Sequence, residues 1–557
     1  MLRRFTLLCN AEKLASRFWL LNRKSNGSFQ VSFLFKSLQK NREVIFCVIL
    51  ILLLATAFSC GKDGLNLNDT STKAYVGLKP QTRQEINRQV LNLLEEHQKF
   101  EWSMVDAQTV WSANLLSDSI MCIGYQPANE KNVNQRMHQI DIQRKEWKQV
   151  REELIDYIVT ETNRQNPGKQ ISAKDLMPFG QEEVLPVIDI KISSLGIIEK
   201  LRGLPEVRYI EPMGYSYAEE RLRSDSGCGI SGNTSIPTAD FSNITPGAKQ
   251  SWHHGVPRIG TAWGNNSGQG ITVALLDTGT PNPGSQPKMG SQFNSGLSTG
   301  RTLTRMGTYV SCWFCGTPDG PDDQCGHGTQ MSGLIAAPRG YDGTPAGVAY
   351  NCNLLAIRVT SDVIINGSSE KKGVADGLVI AGNNTSVKII SMSIGDVFSS
   401  GQVEDGVRYA YGKGKMLLAA AGTSTSFTNW YGVIFPAWMA ECVAITGVKD
   451  GGLPLERCST CHSGSDVEFV AVMQRKVDNN RTALTLAPTG NVPANVGGSS
   501  AATATTAGIA ALIWATNPTQ TREQVYARMK ASATWPSTRD AQYGFGIIDA
   551  GKAVTGL

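Results

Sequence analysis

The sequence predicts an α/β protein whose larger C-terminal part is built on buried parallel strands, with a smaller α+β segment ahead of it. Three observations carry this. Residues 271–276 (ITVALL) hold five apolar positions in six without alternation, as expected of a strand covered on both faces. Residues 501–513 are an uncharged run rich in Ala and Thr, suited to a helix packed closely on a sheet. Residues 184–192 and 207–212 read as strands within an otherwise helical stretch.

The 557 residues, 41% hydrophobic and 18% charged, allow two or three domains and a large core. A net charge of +5 gives no argument for nucleic-acid binding, and 56 glycines argue against a coiled coil.

Residues 44–59 (VIFCVILILLLATAFS) carry no charge but are shorter than the about 20 residues of a membrane-spanning helix. Lys40 and Arg42 precede them, as in an export signal. Ala57-Phe58-Ser59-Cys60 resembles a bacterial lipobox, which implies lipidation of Cys60 and a surface-anchored lipoprotein exported from a bacterial cell. Phe58 departs from that pattern, and plain cleavage with secretion is the alternative; a retained anchor is the third. Residues 1–43 are basic with interleaved aromatics. They read either as an arm for nucleic acid or membrane or as an over-extended gene start, with translation beginning near Leu38; the second is expected.

Residues 85–98 and 140–159 place apolar side chains at helical spacing. Residues 184–192 (VLPVIDIKI) alternate like a strand despite Pro186, residues 195–201 suit a short helix, and residues 207–212 (VRYIEP) suit a closing strand. Residues 82–180 are expected to be an inserted helical region. Residues 219–226 (EERLRSDS) read as an exposed linker, with self-processing expected within 214–230.

Twelve cysteines are present; Cys122 stands alone and eight lie between Cys228 and Cys461. On an exported chain that cluster predicts disulfides, among 105 pairings that the sequence does not resolve. Cys312-x-x-Cys315 and Cys458-x-x-Cys461-His462 also fit zinc, but disulfides are expected there too. Asp319, Asp322 and Asp323 could hold a cation, although a solvated acidic loop is the expectation. No cofactor is expected.

Asp277 ends the apolar run, where open α/β sheets place their sites. A carboxylate there can fix a histidine tautomer and stabilise the imidazolium; alone, Asp277 would read as a turn cap. His327 lies in CGHGTQMSGLIA, where flanking glycines leave room for close approach. Ser500 lies in GGSSAATATTAG at the start of the small-residue helix, where the helix N-terminus favours developing negative charge. Alone, it would read as an N-cap.

Together these blocks, in the order Asp, His, Ser, resemble the subtilisin-like serine protease family (subtilases). The His block resembles H-G-T-x-x-[SAG]-x-[IVL]-A and the Ser block G-T-S-x-A-x-P-x-x-A-G; residues 347–359, 391–395, 435–448 and 543–550 resemble further family landmarks. Residues 197–212 (IIEKLRGLPEVRYIEP) resemble the end of the family's propeptide. An ordinary accessory domain is the alternative for that part.

The resemblance implies a three-layer α/β fold with a mostly parallel sheet, preceded by an α+β propeptide. The organisation is then a targeting segment 1–60, a linker 61–81, a propeptide-like domain 82–218, a linker and processing region 219–251, and a catalytic domain 252–557. It implies peptide-bond hydrolysis through an acyl-enzyme, with Ser500 the nucleophile, His327 the base and then the acid, and Asp277 orienting it. Ser393, Ile394 and Gly395 would pair with substrate, facing Ala420, Ala421 and Gly422. These small walls predict room for a bulky P1 side chain. The implied partners are protein or peptide substrates and the chain's own propeptide, with no nucleic acid, membrane contact only through a lipid anchor, and a monomeric state.

The sequence departs from the family at three places. Thr423 stands where an Asn usually completes the oxyanion hole, and Ala504 where a Pro usually follows the nucleophile. The loop 338–345 is short where many members carry an Asn-rich loop that helps to bind calcium, so that site is not carried over. Two rival readings stay open: a transpeptidase or peptide-processing specialist, and a catalytically weak peptide-binding surface protein.

Overall fold

A computed structural model describes residues 78–217, 228–229, 232–312, 317–423 and 432–556. The export segment, Cys60, Cys315 and the linker 219–226 lie outside these residues. All described residues belong to one compact unit, Leu65–Leu557.

The N-terminal part opens with α1 (Arg83–His97), started by a capping box between Thr82 and Glu85 and burying Ile86, Val90 and Leu94 along one stripe. Next come α2 (Ala107–Leu115), β1 (Ile120–Tyr125), α3 (Lys145–Gln165), β2 (Val187–Lys191), α4 (Leu195–Arg202) and β3 (Val207–Pro212). The sheet order is β2-β1-β3, antiparallel throughout. The helices match the periodicity, but the expectation of a purely helical region over 82–180 is corrected by β1, the central strand. All six of its residues are buried, so IMCIGY lacks the alternation that marks a half-exposed strand.

The C-terminal part begins with a hairpin, β4 (Phe241–Ile244) and β5 (Ala248–Ser251). It continues in chain order through β6 (Thr272–Asp277), β7 (Leu303–Gly307), α5 (His327–Ala336), β8 (Asn353–Arg358), α6 (Ser368–Asn383), β9 (Val387–Met392), α7 (Gly401–Gly412) and β10 (Met416–Ala420). It ends with β11 (Cys442–Lys449), β12 (Val467–Gln474), β13 (Ala483–Leu486), β14 (Pro493–Val496), α8 (Gly498–Ala515), α9 (Arg522–Ala531) and α10 (Ala550–Thr555). Seven strands form a parallel sheet ordered β12-β11-β10-β9-β6-β8-β7.

Alternate residues of these strands feed two cores. Val273, Leu275 and Leu418 pack with α5 and α8, while Ala274, Leu276 and Leu417 pack with α6 and α7. The three-layer α/β expectation is met, because strands covered on both faces read as continuous apolar runs.

The small sheet of the N-terminal part sits on α6 and α7, whose Ala375, Val379 and Tyr409 enter its core together with Val397 and Phe398. Polar contacts fix the register. Arg208 pairs with the buried Asp405, which also accepts from the Tyr209 hydroxyl at 2.8 Å. Glu211 accepts the Gly401 N–H at the start of α7 at 2.8 Å, and Asp189 accepts from Gln402 at 2.9 Å.

Candidate active site

Asp277 is the fully buried last residue of β6. β6 lies between β9 and β8, so its C-terminal end opens where the strand order reverses. The turn behind it packs under the start of α5 so closely that a Cβ on Gly328 would collide with Gly279 O. The glycine following His327 permits that approach.

His327 opens α5 with Nδ1 2.8 Å from Asp277 Oδ1, which also accepts the Thr278 N–H. Asp277 Oδ2 is buried without a partner among the described residues. A carboxylate acceptor places the ring proton on Nδ1 and leaves Nε2 as the basic lone pair. Burial opposes charge on His327, but the Asp277 carboxylate, with Asp323 and Asp362 behind it, outweighs burial and raises the pKa above its ordinary value.

Ser500 stands in the first turn of α8, entered through Gly498 at φ 78°, a left-handed conformation that favours glycine. Its hydroxyl donates to Ser393 O at 3.3 Å, and the Ser393 hydroxyl donates to Ser500 O at 3.0 Å. The structure thus brings Asp277 and His327 together and places the Ser500 hydroxyl on Ser393 rather than on His327. Nucleophile–base bonds are often long without substrate and tighten in the complex.

Thr423 lies across from this helix start. Its Oγ1 accepts the Ser499 N–H at 3.3 Å and is 3.0 Å from the Ser499 hydroxyl, which in turn accepts the Gly422 N–H at 3.2 Å. Ser499 is a contributor that sequence reasoning missed, since nothing local marks its partners.

Ser393, Ile394 and Gly395 continue β9, and Ala420, Ala421 and Gly422 lead out of β10. Ile434 and Phe435 bridge the two walls: Ile434 N–H donates to Ala421 O, and Phe435 exchanges two hydrogen bonds with Asp396. Ile434 Cδ1 lies 2.7 Å from where a Cβ on Gly395 would stand. Phe435 O and the Ile434 side chain thus stand against Gly395, at the end of the wall expected to line the substrate.

His462 was singled out only as part of a zinc motif. It backs Gly422 instead: its N–H donates to Gly422 O at 2.9 Å and its Nδ1 is 2.8 Å from Gly432 O. Burial lowers its pKa to about 4.

The cysteine pattern is settled in part. Cys458–Cys461 and Cys228–Cys325 are disulfides, so the CxxC pair beside His462 is not a pair of free thiolates. Cys352 and Cys442, expected among the disulfides, are free thiols buried in the two cores. The acidic loop lies at the surface, as expected, with its carboxylates engaged. Asp322 pairs with Arg305 at 2.7 Å, Asp319 lies 3.6 Å from Arg358, and Asp323 is bonded to backbone and hydroxyl groups.

Residues 268–546, which contain Asp277, His327 and Ser500, match the model of the subtilase family. A thermostable alkaline protease of Halalkalibacterium halodurans is 32% identical over 302 residues, covering 54% of this chain and 72% of its own length. Subtilisin Savinase of Lederbergia lenta is 28% identical over 307 residues, covering 55% of this chain and 99% of its own. Among solved structures, the MycP3 protease from the type VII (ESX-3) secretion system superposes with a TM-score of 0.44 at 23% identity, over 57% of this chain and 92% of that one. The family match spans half of the chain, including β6, α5 and all of α8; the chain belongs to the subtilase family and is a serine endopeptidase.

Proposed function

We propose that Asp277, His327 and Ser500 act as one catalytic unit that hydrolyses peptide bonds in proteins or peptides. The observation that carries this reading is the buried 2.8 Å contact between His327 Nδ1 and Asp277 Oδ1, with Ser500 in the first turn of the helix that packs against α5. Ser500 Oγ attacks the scissile carbonyl while His327 Nε2 takes its proton, and Asp277 holds the ring and stabilises the imidazolium. The oxyanion is held by the Ser500 N–H and the Thr423 hydroxyl. His327 then protonates the leaving amine, leaving an acyl-enzyme that water hydrolyses by the same steps in reverse. No cofactor enters this chemistry.

The chain is exported through its 44–59 segment and ends up secreted or lipidated at Cys60. Residues 82–218 serve as its propeptide, seated on α6 and α7 as a monomeric precursor. The test is Ser500→Ala. It should abolish turnover and labelling by a fluorophosphonate, and the purified precursor should stay unprocessed. A Ser500→Ala protein that still labels and cleaves peptides would overturn the reading. N-terminal sequencing and intact mass of the wild-type product separate lipidation at Cys60 from plain cleavage.

A further inference from the structure

Asp323 stands on the loop leading into α5 and touches no reacting atom. Its two neighbours in the acidic loop are each set against an arginine, whereas Asp323 has no ion-pair partner among the described residues. Five donors converge on it instead. Oδ1 accepts from Cys325 N at 2.9 Å, Gly326 N at 2.7 Å and the Thr278 hydroxyl at 2.9 Å. Oδ2 accepts from Thr329 N at 2.9 Å and the Thr329 hydroxyl at 2.6 Å.

The origin of these donors is what matters. Cys325 and Gly326 are the two residues before His327, and Thr329 is the second residue after it. Thr278 follows Asp277, and its hydroxyl also accepts the Gly328 N–H at 2.9 Å. The backbone on both sides of His327 and the residue next to Asp277 are therefore tied to one carboxylate. Charge-assisted bonds of this kind are about twice as strong as neutral ones. A group held by several of them has little freedom to shift.

The same carboxylate adds negative charge at the start of α5, where the positive end of the helix would otherwise disfavour an imidazolium. The charged groups facing His327 are Asp277 from the end of β6, Asp323 from the loop before α5, and Asp362 from the loop after β8.

We infer that Asp323 is a positioning residue for catalysis, holding Asp277 and His327 at their reacting separation and stabilising the imidazolium through charge. The inference rests on the catalytic unit proposed above.

The experiment compares mature wild type, Asp323→Asn and Thr278→Val. It measures kcat and KM on a peptide substrate per fluorophosphonate-titrated site, with pH–rate profiles from pH 5 to 10. Asp323→Asn should lower kcat per titrated site by about 10²-fold, the cost of a small misplacement of catalytic groups, with KM within about twofold. Its acid limb should move to lower pH, because a negative charge near His327 is gone. Thr278→Val removes the link to Asp277 without changing charge. It should lower kcat by about 10-fold and leave the acid limb in place.

A merely structural role predicts fewer titratable sites and a lower Tm, with kcat per site and the acid limb unchanged; that result overturns the inference. If Asp323→Asn does not fold, an unchanged kcat per site in Thr278→Val overturns it. Failure of the catalytic unit itself looks different: His327→Ala or Ser500→Ala would retain full turnover whatever Asp323 does.

Discussion

Thr423 decides how much oxyanion charge the chain can hold beyond the Ser500 N–H. Its Oγ1 accepts the Ser499 N–H and lies against the Ser499 hydroxyl. When Ser499 donates its own proton, the Thr423 proton is left for the developing oxyanion. An interaction made only in the transition state raises kcat and leaves KM alone. Thr423→Val keeps the shape and removes the donor, so kcat should fall toward the about 10²–10³ that loss of an oxyanion donor costs in subtilisin, at nearly constant KM. Thr423→Asn should keep or raise kcat. Equal kcat in wild type and a folded Thr423→Val would remove Thr423 from the mechanism. His327 supplies a second prediction at this scale. Its pKa is raised from 6.5, because the carboxylates around it outweigh burial. A base must be neutral, so kcat/KM should be half-maximal above pH 6.5 and fall as pH drops through the raised value. A rate that is flat from pH 5 to 8 would contradict the assignment.

Elements explain both what the sequence disclosed and what it concealed. β6, α5 and α8 were legible because each chemical group sits at the end of an element with a local signature: Asp277 after a continuous apolar run, His327 between glycines, Ser500 before a small-residue helix. β1 was not legible, since burial on both faces removes the period that identifies a strand. The Thr278–Asp323 link spans 45 residues, and the contact of Ile434 with Gly395 likewise joins separate segments, so neither leaves a motif. The segment carrying Ile434 yields a prediction of its own. It crosses between the walls 393–395 and 420–422, and its side chain fills the face where Gly395 lacks a Cβ. The enzyme should therefore prefer small P1 residues such as Ala over Leu or Phe. One methylene more or less in an apolar pocket changes kcat/KM by about 10–200-fold. Ile434→Gly should raise kcat/KM for P1 Phe by at least about 10-fold, while P1 Ala changes little. A P1 peptide series in which wild type already favours Phe would sink this reading.

At the scale of the whole molecule, the folded state depends on histidines kept neutral beneath the Ser500 helix. His253 and His254 are each about 1% exposed. His253 is 2.7 Å from the Ser251 hydroxyl and 3.5 Å from the Thr505 hydroxyl on α8, and its ring packs 4.3 Å from that of His254. The His254 ring packs 5.6 Å from Trp263, and its Nδ1 has no partner among the described residues. Burial drives the His254 pKa down to about 3 and that of His253 well below 6.5, the neighbouring His254 adding to the latter. Folded pKa values below the unfolded ones mean that the unfolded chain binds more protons once the pH falls below 6.5. Stability is then lost with falling pH, by up to about 1.4 kcal/mol per pH unit for each histidine. Two such groups remove about 3 kcal/mol between pH 6.5 and pH 5, a large part of the 5–15 kcal/mol typical of a domain. Raised carboxyls such as Glu211, at about 8, act in the opposite direction over this range, so the histidine contribution is read as a difference between variants in urea unfolding of the Ser500→Ala protein, which cannot digest itself. His254→Phe keeps a ring against Trp263 and cannot take up a proton, so between pH 7 and pH 5 its stability should change by about 2 kcal/mol less in the destabilising direction than that of its parent. The same pH dependence in His254→Phe as in its parent would mean that the acid lability comes from elsewhere in the fold.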